Sequence, residues 1–362
     1  MAKKKRILVL SPSPEGVNPG QRLKYEQYYD YLRENGYELT LSSFQTMRFW
    51  NIIYKPGRFF EKVFWTLWGY TKRLYDIMRA PFYDGVYMFL WVTPFGTPLY
   101  EWLLHKMNSK IIFDLDDMVF LGHKSEANAL IAPLKGKSKM LYMMKVSKHV
   151  IICTPKLEEI ARQYNDRVTD ISSTFDTDRF IPVKEYKNNG RITIGWTGSH
   201  STLKYLHLLD DVIQEVAKQR DIKLRVIADK EFELDGVDVE YIPWTSENEV
   251  ADLHAIDIGL YPLPIEDWVL GKSGCKTITY MSIAIPSVST GYGTIFRVVE
   301  DEKEGLLVVE KEEWVEAIIR LIDDVELRER IGKAGREKVL NNFSVYANRD
   351  KYLSIYREVY GA

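Results

Sequence analysis

The chain has 362 residues, more than one hydrophobic core commonly serves, so two domains are expected. A hydrophobic fraction of 46% with 28% charged residues excludes a disordered chain, and no apolar run reaches the roughly 18–20 residues of a membrane span. The net charge of −2 hides an asymmetry: residues 1–186 carry a balance of +7 and the remainder −9, so the first half suits an anionic partner.

In chain order, the basic head of MAKKKRILVLSPSPEG is followed by an apolar stretch too short for a signal segment, and RILVLS (6–11) reads as a first buried strand. The loop PSPEGVNPGQR leads into a helix that ends at Asn35-Gly36, a good C-terminal stop. ELTLSS (38–43), GVYMFLWV (85–92), KIIFDL (110–115) and HVIICT (149–154) follow as strands. TPKLEEIARQYN then reads as a helix with Thr154 as N-cap and Pro155 in its first turn. After the polar break DTDRFIPVKEYKNNG (176–190), a second series begins. Its strands are RITIGW, LRVIAD, VEYIPW, DIGLYP, IPSVST and GLLVV, and LKYLHLLDDVIQEVAKQR is its clearest helix. Strands alternating with helices imply parallel sheets with crossover helices. The expected architecture is α/β: two Rossmann-like, doubly wound domains facing a central cleft, with boundaries at 1–186 and 187–343. Residues 344–362 form a last helix expected to pack back on the first domain. Cys153 and Cys275 are the only cysteines and lie far apart, which suits a reducing, cytoplasmic setting.

Three stretches carry chemistry. In RITIGWTGSHSTLKYL, a strand meets a helix through a turn of small residues, where Gly198 and Ser199 would let backbone N–H groups approach a phosphate and Lys204 follows on the helix. In DIGLYPLPIEDWVLGKSGCKTITYMSIAIPSVST, Glu266 and Asp267 precede a small loop. Lys272 and Lys276 then flank Ser273, Gly274 and Cys275 as point charges for phosphate oxygens. The third stretch, IIFDLDDMVF, ends an apolar strand with Asp114, Asp116 and Asp117, which would raise one another's pKa. Such a cluster suits a phosphatase nucleophile, a metal site, an acid or base on a sugar-binding cleft, or a simple helix cap.

The order W-x-x-G-K-x-G-x-K-x-x-x-Y-M-x-x-x-x-P-x-V resembles the donor-binding segment of retaining family 4 glycosyltransferases with the GT-B fold. IGWTGSHSTLKYL, VEYIPW, ENEVADLHAIDIGLYPLP, GYGTIFRVVEDEKEGLLV and DVELRERIGKAGREKVLNNFS follow that family's order over about 190–345. The resemblance implies a UDP- or GDP-type sugar donor bound by the second domain, and a glycan or lipid-linked acceptor bound by the first. It implies no cofactor and no metal. Gly198, Ser199, Lys204, Lys272, Ser273, Gly274, Cys275, Lys276 and Thr279 would hold the donor diphosphate, joined by Gly16 and Arg22 of the first loop. Glu266 and Asp267 would face the sugar, while Ala228, Asp229, Tyr241 and Trp244 flank the base. Asp114, Asp117, His123 and Lys272 are the catalytic candidates, His123 standing where many members place a histidine.

The chain departs from the family pattern at three places. Thr279 replaces the Glu that holds the donor ribose, Gly271 takes the place of a second Glu, and Trp196 stands where an Arg is usual. A binding or assembly subunit without turnover is therefore a rival to an active enzyme. FDLDD also resembles the first motif of haloacid-dehalogenase-type phosphatases, a more distant alternative. Finally, residues 45–80 hold seven Lys/Arg against two acids among many aromatics, and 135–149 repeats the theme. Both read as candidates for contact with the inner face of a cell membrane. No nucleic-acid-binding module accompanies the charge.

Overall fold

The computed structural model describes residues 4–118, 137–182, 186 and 190–361. The chain divides into two units. The first is built from 1–174 with 348–362, and the second from 175–347. The last helix, Val345–Tyr360, thus contributes its residues from Asn348 onward to the first unit.

The first unit holds a six-stranded sheet: β1 Lys5–Ser11, β2 Tyr37–Ser43, β3 Gly85–Phe89, β4 Ile111–Asp114, β5 His149–Ile152 and β6 Val168–Asp170. Their order is β2-β1-β3-β4-β5-β6, all parallel. β1, β3, β4 and β5 run almost wholly buried, as continuous apolar strands covered on both faces must. β3 stops at Phe89, short of the apolar run through Val92, because Leu90 takes a left-handed φ of 60°. β6 is only three residues of mixed polarity, too short to show a period in the sequence. The helix Pro155–Arg162 starts as expected, with Thr154 Oγ1 accepting from Leu157 N–H at 3.2 Å.

The second unit holds β7 Ile192–Thr197, β8 Ile222–Ala228, β9 Val239–Pro243, β10 Ile258–Tyr261, β11 Ser287–Thr290 and β12 Leu306–Val308. Their order, β12-β11-β10-β7-β8-β9, is also parallel throughout. Counted from β7, this is the doubly wound order 3-2-1-4-5-6, with its reversal between β7 and β10. Ile194, Leu224, Leu260 and Val288 form its buried centre, with Trp314 and Ile318 of the helix Lys311–Asp323 packed against it. The long helix expected after β7 divides into His200–Leu206, a 3-10 turn and Asp210–Gln219. Among the described residues, no helix is long and apolar enough to cross a membrane.

Candidate active site

In open α/β sheets, ligands bind beyond the carboxyl ends of the strands where the winding reverses. In the second unit that point lies past β7 and β10, and the helix Cys275–Ser282 begins there. Gly274, its N-cap, sits at φ +78°, a left-handed conformation that glycine adopts without strain. Gly274 brings no side chain to cap this helix and the first turn holds no acid, so its dipole favours an anion. Tyr280, one turn inward, locks the helix to the strand ends. Its hydroxyl accepts from Thr197 N–H at 3.2 Å and donates to the Leu260 carbonyl at 3.3 Å. Thr277 and Ser289 share a buried hydroxyl–hydroxyl bond of 2.8 Å.

Lys276 projects from this first turn. Its ammonium lies 5.4 Å from the Trp196 ring centre and 5.6 Å from that of Tyr261. Among the described residues no carboxylate pairs with it. Desolvation lowers its pKa to about 8, Cys275 opposes that shift, and Lys272 adds to it. A cation held beside aromatic faces at a helix N-terminus, without a counter-ion, is arranged to receive an anionic group.

A second cluster adjoins it in sequence. Trp268 stacks on Tyr205 with centroids 5.4 Å apart, Lys272 lies 5.6 Å over Trp268, and Lys204 lies 5.1 Å over Tyr205. Glu266 is exposed and accepts from the Trp268 indole N–H at 2.5 Å, and Asp267 is exposed beside it. Ser273 and Cys275 flank Gly274 and are half-buried. Trp196, Tyr205, Tyr261 and Trp268 are absent from the sequence-derived set. Trp268 stands inside the quoted motif, so its place beside Lys272 was the available signal.

The turn at Gly198 and Ser199 differs from expectation. Gly198 N–H donates to the Ile227 carbonyl at 3.0 Å, and a Cβ there would strike the Trp196 ring. Ser199 N–H donates to Thr202 Oγ1 at 3.2 Å in a capping box, and His200 N–H donates to the Asp229 carboxylate. These donors close the turn, so as it stands it offers no open phosphate cradle. Asp229, expected near a base, instead bonds His200, including its Nδ1 at 2.6 Å. Ala228, Tyr241 and Trp244 are brought together at the edge of the sheet. The Ala228 carbonyl accepts from Trp244 N–H at 3.0 Å and from the Tyr241 hydroxyl at 3.3 Å. Thr279 is buried and its hydroxyl donates to the Cys275 carbonyl at 2.9 Å, a bond that turns it into its own helix.

The acidic strand end of the first unit requires the larger correction. Asp114 is fully buried. It is ion-paired with Lys24, itself 1% exposed, and accepts from the hydroxyls of Tyr87 and Tyr352. Burial pushes its carboxyl pKa up, while the Lys24 ammonium and the two hydroxyls oppose that rise. A buried carboxylate with Lys24 and two hydroxyls as partners is placed as part of the fold, which speaks against its assignment to catalysis and against the phosphatase alternative. Asp117 is half-buried and accepts from the neighbouring Met118 N–H at 2.7 Å, and Asp116 lies against Gly20. His123 lies outside the described residues. In the first loop, Gly16 N–H donates to Glu26 Oε2 at 2.9 Å, and Arg22 ends the short helix Pro19–Arg22.

Residues 191–324 match the model of the family described as glycosyl transferases group 1. A comparison with curated protein sequences found no match. Among solved structures, the chain is similar to a sucrose-phosphate synthase from Thermosynechococcus elongatus, 16% identical over 99% of each chain, TM-score 0.72. It is likewise similar to a glycosyltransferase from Rickettsia africae, 16% identical over 98% of each chain, TM-score 0.69. A third is Anabaena HepE in complex with UDP and glucose, 15% identical over 97% of this chain and 98% of that one, TM-score 0.65. These likenesses identify the two parallel sheets with flanking helices as a GT-B fold.

Proposed function

From the match of residues 191–324 to the glycosyl transferases group 1 model, we propose that the chain is a member of that family and moves a sugar from a nucleotide-diphospho-sugar to a hydroxyl acceptor with retention of anomeric configuration. The observation that carries the reading is Lys276, a cation that no carboxylate among the described residues pairs with, at the N-terminus of the helix Cys275–Ser282. When the bond between the anomeric carbon and the diphosphate breaks, negative charge grows on the departing oxygen. Lys276, Lys272 and the helix N–H groups stabilise that charge, and because they are fixed beforehand they need no reorganisation. Their charge does the work a divalent ion would do, which is why the proposal is metal-independent. In the retaining path the acceptor hydroxyl attacks from the face that the diphosphate leaves. HepE is complexed with UDP and glucose, which supports a UDP-type donor here. The proposed setting is cell-surface glycan or glycolipid assembly.

Incubation with UDP-, GDP- and ADP-sugars should release nucleoside diphosphate, slowly by hydrolysis and faster with an acceptor. Failure of every donor to turn over or bind would overturn the proposal.

Thr279 favours a second reading, in which the site binds donor without turnover. Its single hydroxyl is spent on the Cys275 carbonyl, whereas a Glu at this point could accept from both ribose hydroxyls. Restoring the acid with Thr279→Glu separates the two. A rise in donor affinity without transfer supports the binding subunit, and transfer by the unaltered chain excludes it.

A further inference from the structure

The helix Phe59–Arg79 is amphipathic in the reverse sense. Its inward face carries Gly69, Arg73, Asp76 and Ile77. The Arg73 guanidinium is wholly buried and donates to the carbonyls of Ser11 at 2.5 Å, Ser42 at 2.9 Å and Val92 at 3.0 Å, and to Asp76 Oδ2 at 2.9 Å. A cation thus satisfies backbone oxygens at the ends of β1 and β2 and just beyond β3, and Asp76 balances it. Ile77 is buried, and Trp65 and Tyr70 pack against Phe44, Phe49 and Ile52, but a second set of apolar residues on the same helix faces water. Phe60 is 86% exposed, Phe64 58%, Leu67 62%, Trp68 50%, Tyr75 58% and Met78 54%. Their spacing places them on one stripe along a 21-residue helix, about 30 Å long.

A continuous apolar stripe of this size is unusual on a soluble surface and marks a contact face. Its charged neighbours say of what kind. Arg48, Lys55, Arg58 and Lys62 accompany it, against Glu61, which Arg48 and Arg58 each bridge at 3.4 Å, while Arg79 is taken up by Asp76 at 2.8 Å and Lys72 by the Ser43 carbonyl at 2.7 Å. Cations beside Trp, Phe and Leu suit anionic headgroups above acyl chains. We propose that the outward face of Phe59–Arg79 seats on an anionic lipid bilayer, the helix lying in the interface plane with its apolar stripe among the acyl chains.

The same sequence theme at 135–149 does not share this role. In the helix Lys137–Val146 the apolar Met140, Met143 and Met144 are buried, and Lys139 is buried with them. Its ammonium donates to Thr93 Oγ1 at 2.6 Å and to the Phe95 carbonyl at 2.8 Å.

The test is flotation of the full chain with vesicles of phosphatidylcholine alone, or with about a third phosphatidylglycerol added. Wild type should float with the anionic vesicles, release at high salt, and ignore the neutral ones. The triple variant Phe60→Ser, Phe64→Ser, Leu67→Ser should lose roughly tenfold or more of its partitioning, since each change removes apolar area from the acyl region. Leu340→Ser, at an exposed site of the second unit, should behave as wild type. Acyl chains brominated near the headgroup should quench the wild-type tryptophan emission, a readout that needs no substitution. No flotation of wild type, undiminished flotation of the triple variant, or absent quenching would overturn the proposal. So would light scattering that shows a wild-type dimer dissociated by the triple variant, because the face would then hold a second copy of the chain.

Discussion

The carboxyl end of β4 in the first unit and that of the β7–β10 pair in the second both carry charged side chains, in opposite electrostatic settings. Asp114 is sealed from water with a counter-ion, Lys24, and two tyrosine hydroxyls. Lys276 stands at a helix N-terminus beside two aromatic faces and the like charge of Lys272, and no carboxylate pairs with it among the described residues. A buried charge with every partner in place is part of the fold. A desolvated charge without a counter-ion costs the fold free energy and is retained where a ligand will supply the missing charge.

Removing charge should therefore have opposite consequences at the two ends. Asp114→Asn leaves Lys24 buried and uncompensated, which should destabilise the first unit by about 3–5 kcal/mol in thermal or denaturant unfolding. The double variant Asp114→Asn, Lys24→Met should recover most of that loss, because the uncompensated charge is gone. If Asp114→Asn unfolds like wild type, Asp114 is not a structural charge and the contrast fails.

At the other end, Lys276→Met should lower kcat/KM for the nucleotide sugar by about 10²–10³-fold, the usual consequence of deleting one fixed stabiliser of developing charge. The same variant should be no less stable than wild type without ligand. A gain of about 1 kcal/mol would raise its melting temperature by about 2–4 °C. A Lys276 variant both unstable and inactive would place this lysine with Asp114, as a structural group.

Titration sharpens the contrast further. The Lys276 pKa is lowered from 10.5 to about 8, so its charge is lost as pH rises through about 8. Diphosphate affinity should weaken over that range in wild type and stay flat in Lys276→Met. Stability without ligand should change in the other direction. Between about 8 and 10.5 the unfolded chain holds the extra proton, so wild-type stability should rise with pH relative to Lys276→Met. The smallest effect is expected at Gly274→Ala. There a Cβ would meet Val298 Cγ2 at 2.9 Å at a φ of +78°, costing about 1–2 kcal/mol and blunting diphosphate binding severalfold.

The two strand ends also differ in how legible they were. The succession of strands and helices in the second unit, the Lys272–Lys276 pair and the Gly274 turn follow from local patterns: an apolar strand, a small-residue turn and a helix stopped by Pro286. The motif is contiguous, so spacing alone carries it. Asp114 could not be read that way. Its partners Lys24, Tyr87 and Tyr352 are 90, 27 and 238 residues distant, and a carboxylate without visible partners resembles a catalytic one. Gly198 failed for a related reason, since its N–H is taken by Ile227 on the neighbouring strand β8. The two basic-aromatic stretches show the same limit. Composition made 45–80 and 135–149 look alike, and only packing separated the outward stripe of one from the buried methionines of the other.

Calorimetric titration of UDP, GDP and ADP into wild type and Lys276→Met at neutral pH tests the central claim most directly. At least one nucleoside diphosphate should bind wild type and raise its melting temperature, and Lys276→Met should bind it about 10²-fold more weakly while remaining folded. Equal binding by the two proteins, or no binding of any of the three to wild type, would contradict the account.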